Sequence, residues 1–268
     1  MNIYLAESGG VWNAYFNKVK HNKDILCQAD FHTEMSGVEG KLFRDANILQ
    51  SFYYCNEFTE NVIIPQCKRF MLDSGAFTFF GKGKAVEWSA YVKRYAEFIK
   101  RNNIDLYFEL DIDPLIGYDK VLYYREMLED MTGKQSIPVW HKSRGRDEYI
   151  KMCEQYGYVA IGGIVTKEIT QKEYKFFPHL ITEAHKRGTK VDGLGFTNLQ
   201  GLTKYKFDSV DSTAWVSGNR FGSIYMFDGK TMVKHDKQPG KRLASAKEVA
   251  LHNFNEWKKF QRYAEVKL

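Results

Sequence analysis

Cysteine is scarce in this chain. Four stand in 268 residues, and Cys27, Cys55, Cys67 and Cys153 are scattered with no Cys-x-x-Cys spacing. That pattern excludes a zinc knuckle and a disulfide framework, and it fits free thiols in a reducing cytoplasm. Long apolar runs are missing too, so no stretch reads as a membrane span. The opening Met1-Asn2-Ile3-Tyr4-Leu5-Ala6-Glu7 is too short and too acidic to read as a signal peptide. There is no low-complexity tail and no internal repeat. No Gly-rich phosphate loop leads into a helix, and the GxSxG and HExxH patterns are absent, which removes the commonest phosphate-loop, hydrolase and zinc-protease readings.

What remains is an ordinary soluble composition. Hydrophobic residues make up 44% and charged residues 27%, the balance of a globular protein. The length suits one large α/β domain or two small ones, and we take residues 1–268 as a single domain. Aromatics reach 15%, to fill a core or to stack on bases. The net charge of +6 permits a polyanionic partner, although a basic surface also serves solubility.

Eight strand candidates follow one another. Ile3–Ala6 opens the series, and an insertion over about 18–45 follows. Ile48–Tyr54 and Arg69–Asp73 come next, the latter broken by Ser74-Gly75. Trp88, Tyr91, Val92, Tyr95 and Ile99 then recur at three and four, the spacing of an amphipathic helix. Leu106–Asp111, Ile137–His141, Val159–Ile161, Lys190–Gly195 and Ser209–Asp211 complete the strands. Helical patterns lie between most of them, including one with Val121, Leu122, Tyr124, Arg125 and Leu128. Alternating βα units imply parallel strands, and eight of them in a chain of this length predict a (β/α)8 TIM barrel. A doubly wound open sheet is the alternative. A C-terminal hairpin and helix, about 223–264, follow. Asp228-Gly229 between β-rich runs predicts a type I′ turn. Ser245-Ala246-Lys247-Glu248 reads as a capping box for a last helix that packs back across the barrel.

The strand ends carry the chemistry. A barrel places its active site at the C-terminal ends of its strands. Here those ends are Asp73-Ser74-Gly75, Asp111-Ile112-Asp113, His141, Gly162-Gly163, Gly193-Leu194-Gly195 and Asp211. Acids there can accept hydrogen bonds, exchange protons or attack carbon, and two of them with water could bind magnesium. Glycines there let a flat ligand approach the backbone. Asp211 reads as a nucleophile or as a cap on the following turn, and both readings stand on the residues alone. Asp73 can likewise be a turn acid, and Asp113 before Pro114 reads as one. Phe77, beside Phe79 and Phe80, suits a core as well as a stacking platform, and His141 suits a structural role. Lys142, Arg144 and Arg146 form a basic run for phosphates or for a solvated face. Arg220, with Asn219, is the better phosphate candidate because it lies just past Asp211.

Taken in order, these segments resemble the tRNA-guanine transglycosylase superfamily. Asp73-Ser74-Gly75-Ala76-Phe77 is similar to its DSGG-aromatic motif, with Ala76 in place of the second glycine. Ile161-Gly162-Gly163-Ile164 is similar to its GGL motif, and Gly193-Leu194-Gly195-Phe196 to a Gly-x-Gly strand end. Val210-Asp211-Ser212, then Ser217-Gly218-Asn219-Arg220 and Phe227-Asp228-Gly229, resemble its nucleophile segment, polar loop and hairpin. The family's three-Cys, one-His zinc site past the hairpin is missing, since no cysteine lies beyond Cys153. The chain therefore looks most like the compact zinc-less phage and mobile-element relatives (DpdA-type) that place 7-deazaguanines in DNA.

The resemblance implies base exchange on nucleic acid, DNA more than tRNA, with no metal or cofactor. Asp211 would be the nucleophile that forms a glycosyl-enzyme, and Asp73 the general acid/base or a base-recognition group. Asp111 would read the purine N–H edge, and Phe77 would stack on the base. Ser74, Gly162, Gly163, Ile164, Gly193 and Leu194 would line the base pocket. His141 sits where the family has a base-contacting Gln. Arg220, Asn219, Lys142 and Arg144 would meet the nucleic-acid backbone. Partners would be nucleic acid and a free purine or 7-deazaguanine base, in the cytoplasm (the host's, if phage-encoded), with no membrane and with a homodimer left open. The rival readings are a hydrolytic DNA glycosylase on the same scaffold and a non-catalytic nucleic-acid-binding barrel.

Overall fold

A computed structural model describes residues 1–7, 42–79, 86–216, 222–237, 240 and 246–268. The predicted insertion falls mostly outside these residues, as do Asn219, Arg220 and the Ser245 of the proposed capping box. In chain order the main elements are β1 (Asn2–Glu7), β2 (Asn47–Ser51), β3 (Arg69–Asp73), α1 (Trp88–Arg101), β4 (Leu106–Tyr107), α2 (Tyr118–Thr132) and β5 (Val139–Trp140). They continue as α3 (Gly145–Gln155), β6 (Tyr158–Ile161), α4 (Phe177–His185), β7 (Lys190–Gly193), α5 (Leu199–Lys204) and β8 (Ser209–Ser212).

The first eight strands form one parallel sheet in the order β4-β3-β2-β1-β8-β7-β6-β5. The sheet is curled. Its edge strands, β4 and β5, are joined by a single parallel bridge from Phe108 to Ile137. Period-2 alternation divides the side chains. Tyr4, Ala6, Leu49, Met71, Phe108, Val139 and Ala160 face inward and pack together. Ile3, Leu5, Ile48, Val159, Ile161, Val191 and Val210 face outward, into the layer shared with the helices.

The expected strand over Leu106–Asp111 leaves the ladder after Phe108, for a reason visible at Glu109. Its side chain is fully buried. Oε1 accepts the Val139 N–H at 2.8 Å, and Oε2 accepts from Arg125 Nε at 2.6 Å. A carboxylate thus supplies the partner that a backbone carbonyl would give β5, so the seam is short in main-chain bonds and completed by a side chain.

The helix read from Trp88 to Ile99 is α1, and Tyr91, Val92, Tyr95, Ala96, Phe98 and Ile99 are its buried face. Two of its phenols brace strand ends. Tyr95 shares its proton between the carbonyls of Leu72 and Phe108, at 3.1 and 3.0 Å, and Tyr91 donates to Ser74 O at 2.5 Å.

After β8 the chain makes an antiparallel hairpin, β9 (Ser223–Phe227) with β10 (Met232–Asp236), then α6 (Ala246–Lys267). The hairpin turn differs from the expected two-residue Asp-Gly turn. Phe227 pairs with Met232, so the loop holds residues 228–231. Asp228 Oδ1 accepts the N–H groups of both Lys230 and Thr231 at 2.8 Å and closes the wider loop. Helix α6 packs back on the outer face of β1: Phe254, Trp257, Phe260 and Ala264 join Ile3, Leu5 and Ile48 in one buried cluster. Gln261 accepts the Asn47 N–H at 2.8 Å, and Glu265 binds Lys68, Arg69 and Asn47. No described helix is long and apolar enough to cross a membrane.

Candidate active site

The C-terminal rim of the sheet gathers the acids singled out by the sequence. Asp73 ends β3, Asp111 follows β4, His141 follows β5, and Asp211 lies within β8. Asp73 turns one oxygen, Oδ2, back onto the Gly75 N–H at 3.0 Å. That turn needs glycine: Gly75 has φ +74°, and a Cβ there would lie 2.7 Å from both Ser51 Oγ and Tyr53 Cβ. Asp211 is built alike. It is 7% exposed, and its Oδ1 accepts from the Gly195 N–H at the end of β7. In each acid a strand-end N–H holds one oxygen.

The acids act on one another. Burial raises Asp73 to about 6, opposed by the Gly75 N–H and assisted by the charge of Asp111. Burial raises Asp211 to about 7, opposed by the Gly195 N–H and assisted by the charge of Asp73. Beneath them lies Asp192, fully buried on β7. Its Oδ1 accepts from Ser209 Oγ, which in turn lies 2.5 Å from Tyr158 Oη, while its Oδ2 has no hydrogen-bond partner. Burial first, and then the charge of Asp211, hold Asp192 far above the usual carboxylate range, so it stays protonated.

Asp111 belongs to an ion-pair network. Its Oδ1 lies 2.7 Å from His141 Nε2, and His141 Nδ1 lies 2.8 Å from Glu168 Oε2. Burial lowers the imidazole, but Asp111 and then Glu168 outweigh it and raise it to about 9. Below this group, Arg144 reaches Glu109 at 3.3 Å, Asp113 at 3.2 Å and Asp111 at 3.9 Å, with its guanidinium 4.2 Å over the Tyr118 ring. Among the described residues, Asp111, Asp113 and His141 come close enough to hold a metal ion by distance alone. Two side chains of basic type already face these carboxylates: Arg144 lies against both Asp111 and Asp113, and His141 against Asp111.

Other expected site residues fall into three groups. Phe77 sits on the 3-10 turn Ala76–Phe79 at the rim and is 64% exposed, which removes the core reading. Phe79 is the core aromatic instead, edge-on to Tyr53, Trp88 and Tyr91. Leu194 borders the inward-facing cluster, and the backbone of Gly193 ends β7 beside it.

Ser74 is buried and its hydroxyl accepts from the Ala76 N–H at 3.4 Å, so it shapes the Asp73 turn and does not open to the cleft. Ile164 points into the outer core. The pair Gly162-Gly163, expected to admit a flat ligand, makes room for protein side chains. A Cβ at Gly162 would lie 2.7 Å from Val139 Cγ1 and 3.0 Å from the His141 ring, and one at Gly163 would lie 2.8 Å from Glu168 Oε2.

The basic run divides. Lys142 is exposed and paired with Glu173 at 2.5 Å. Arg144 is 3% exposed, which corrects its expected place at a phosphate: Glu109 and Asp113 draw it inward. Sequence reasoning missed Glu168, Glu109 and Asp192. The signal for Glu109 was present, an acid in the apolar run Leu106–Leu110 with Arg125 on the Val121/Leu128 face of the next helix. Glu168 lies in an irregular loop where no periodicity marks it.

Compared with models of known protein families and with curated protein sequences, the chain matches none.

Proposed function

We propose that this chain is a TIM-barrel enzyme that exchanges a guanine-like base in nucleic acid, DNA in preference to tRNA, through a glycosyl ester on Asp211. The observation that carries the reading is the pair Asp73 and Asp211. Both stand at one rim, each has one oxygen fixed by a strand-end N–H, and they titrate near 6 and 7. Midway between those values the pair carries about one proton, held mostly by Asp211, and the minor form with that proton on Asp73 is the one in which Asp211 attacks while Asp73 donates.

In the reaction, an ionised Asp211 oxygen bonds to the sugar C1′ as the C1′–N9 bond breaks. The electron pair leaves with the base, which takes the proton of Asp73. The incoming base then gives its N9 proton to Asp73, bonds to C1′ and releases the Asp211 carboxylate, so that two displacements retain the sugar configuration. Asp111, 26% exposed at the rim, offers a hydrogen-bond acceptor for an N–H edge, and Phe77 supplies an exposed ring on which a base can stack. The target nucleotide leaves its stack to reach them.

The test is a covalent adduct. Incubating the protein with guanine-containing DNA or tRNA and denaturing it traps a protein–nucleic acid species, and Asp211→Asn abolishes that species. An undiminished adduct in Asp211→Asn rules out the nucleophile. Adding free 7-deazaguanine yields base incorporation for an exchanger, whereas abasic sites formed without it mark a hydrolase.

A further inference from the structure

The imidazole of His141 lies between two carboxylates. Asp111, from the segment after β4, faces Nε2 at 2.7 Å. Glu168, from the loop after β6, faces Nδ1 at 2.8 Å. Arg144, on the 3-10 turn after β5, is a cation that opposes the ring's charge. Both neighbours of the ring nitrogens are carboxylate oxygens, which only accept. A neutral imidazole has one N–H and would set its remaining lone pair against an anion, so the geometry demands a proton on each nitrogen.

The ring is also fixed in place. Gly162 leaves it the space that a Cβ would occupy. Glu168 is itself anchored, because its other oxygen accepts the Ser143 N–H at 2.8 Å. The side chain of His141 is 11% exposed against 26% for Asp111. The imidazole is therefore the more buried partner of the pair, and Asp111 the more exposed. One oxygen of Asp111 is tied to the ring, and the other is left for a ligand.

We propose that His141, held as an imidazolium between Glu168 and Asp111, is a positioning residue that aims the free oxygen of Asp111 at the incoming base, with Glu168 as the group that keeps the ring charged. The inference rests on the base-exchange reading and adds to it two residues that do not touch the ligand. Loss of the ring proton leaves one N–H for two carboxylates, so whenever the remaining proton sits on Nδ1 the Asp111 carboxylate has no donor and is free to rotate. Base affinity accordingly falls as pH rises through the titration of the ring.

Two measurements on the full chain test this. Nitrogen NMR of the imidazole at pH 7.5 finds both ring nitrogens protonated, with loss of one proton near pH 9. Titration calorimetry with 7-deazaguanine as the probe then compares wild type, Glu168→Gln and His141→Gln across pH 6.5 to 9.5. The ligand's own titration is common to all three proteins and cancels in the differences. Glu168→Gln lowers the ring titration by about one unit. It binds several-fold more weakly than wild type at pH 8.5 and regains wild-type affinity at pH 6.5. His141→Gln keeps a neutral donor and binds about tenfold more weakly at pH 7. A ring that is neutral at pH 7.5 overturns the inference, and so does Glu168→Gln matching wild type at every pH. Either result leaves base exchange standing, provided the wild type binds the base. A wild type that binds no purine base overturns both.

Discussion

Three carboxyl groups, Asp192 and Asp211 on the paired strands β7 and β8 and Asp73 at the end of β3, place more potential negative charge at one end of the sheet than its surroundings can solvate. The result is a graded set: Asp192 stays protonated, while Asp211 and Asp73 titrate near neutrality. The stability consequence has a definite sign. A folded-state value near 7 against an ordinary 3.8 means that the native protein binds the extra proton. The contribution of Asp211 to stability therefore falls as pH rises from about 4 and levels off above about 7. Asp211→Asn should stabilise the protein by about 2 kcal/mol at pH 8 and by less at pH 5, read from urea midpoints at the two pH values. Adduct formation by the wild type should follow a bell with its maximum between about pH 6 and about pH 7, since Asp211 must be ionised while Asp73 is protonated. Glu109 and Arg125 make the opposite case, a paired buried charge. Arg125→Met leaves that carboxylate without its 2.6 Å partner and should cost about 3 kcal/mol, measured by the same unfolding curves.

At the scale of elements, the eight strands and the helices between them are legible because apolar period marks them without reference to distant contacts. Trp88 to Ile99 and Ile3 to Ala6 are clear instances. The failures occur where a side chain from elsewhere takes over a backbone partner. Glu109 ends β4 early by bonding Val139, and Asp228 widens the hairpin loop by capping two N–H groups. Neither event leaves a local pattern. The rim acids were legible as strand ends, whereas the groups that face each of them come from distant parts of the chain and left no local pattern. Arg144 looked like surface because its neighbours Lys142 and Arg146 are basic, yet Glu109 and Asp113 hold it inside. The turn after β3 offers a test of how an element positions its acid. Gly75→Ala forces a Cβ into Ser51 and Tyr53 at a positive φ and should cost about 1–2 kcal/mol. It should also slow adduct formation, because the Gly75 N–H that fixes Asp73 moves with the turn.

For the molecule as a whole, a parallel sheet with all strand ends at one face concentrates chemistry there and leaves the opposite end to stability. That opposite end is held by α6, whose Gln261 and Glu265 bind the starts of β2 and β3. Glu265→Ala, far from the rim, should lower the melting temperature by a few degrees, roughly the effect of 1 kcal/mol, with adduct formation unchanged at 25 °C. The net charge of +6 bears on the partner. If a nucleic acid occupies the rim, its affinity should fall steeply between 50 and 200 mM salt, and a flat response in a filter-binding titration would remove a polyanion from consideration.

The seam between β4 and β5 carries a further consequence. Only one main-chain bridge spans it, and the Glu109 carboxylate that completes it also binds Arg144, the cation beneath Asp111. Such a place is where a cooperative structure breathes first, and the amide of Val139 is its reporter, exchanging with solvent whenever the carboxylate lets go. Any ligand or substitution that changes the charge held around Asp111 should therefore change the exchange rate of that amide, so the looseness of the sheet can be read as a gauge of occupancy at the rim.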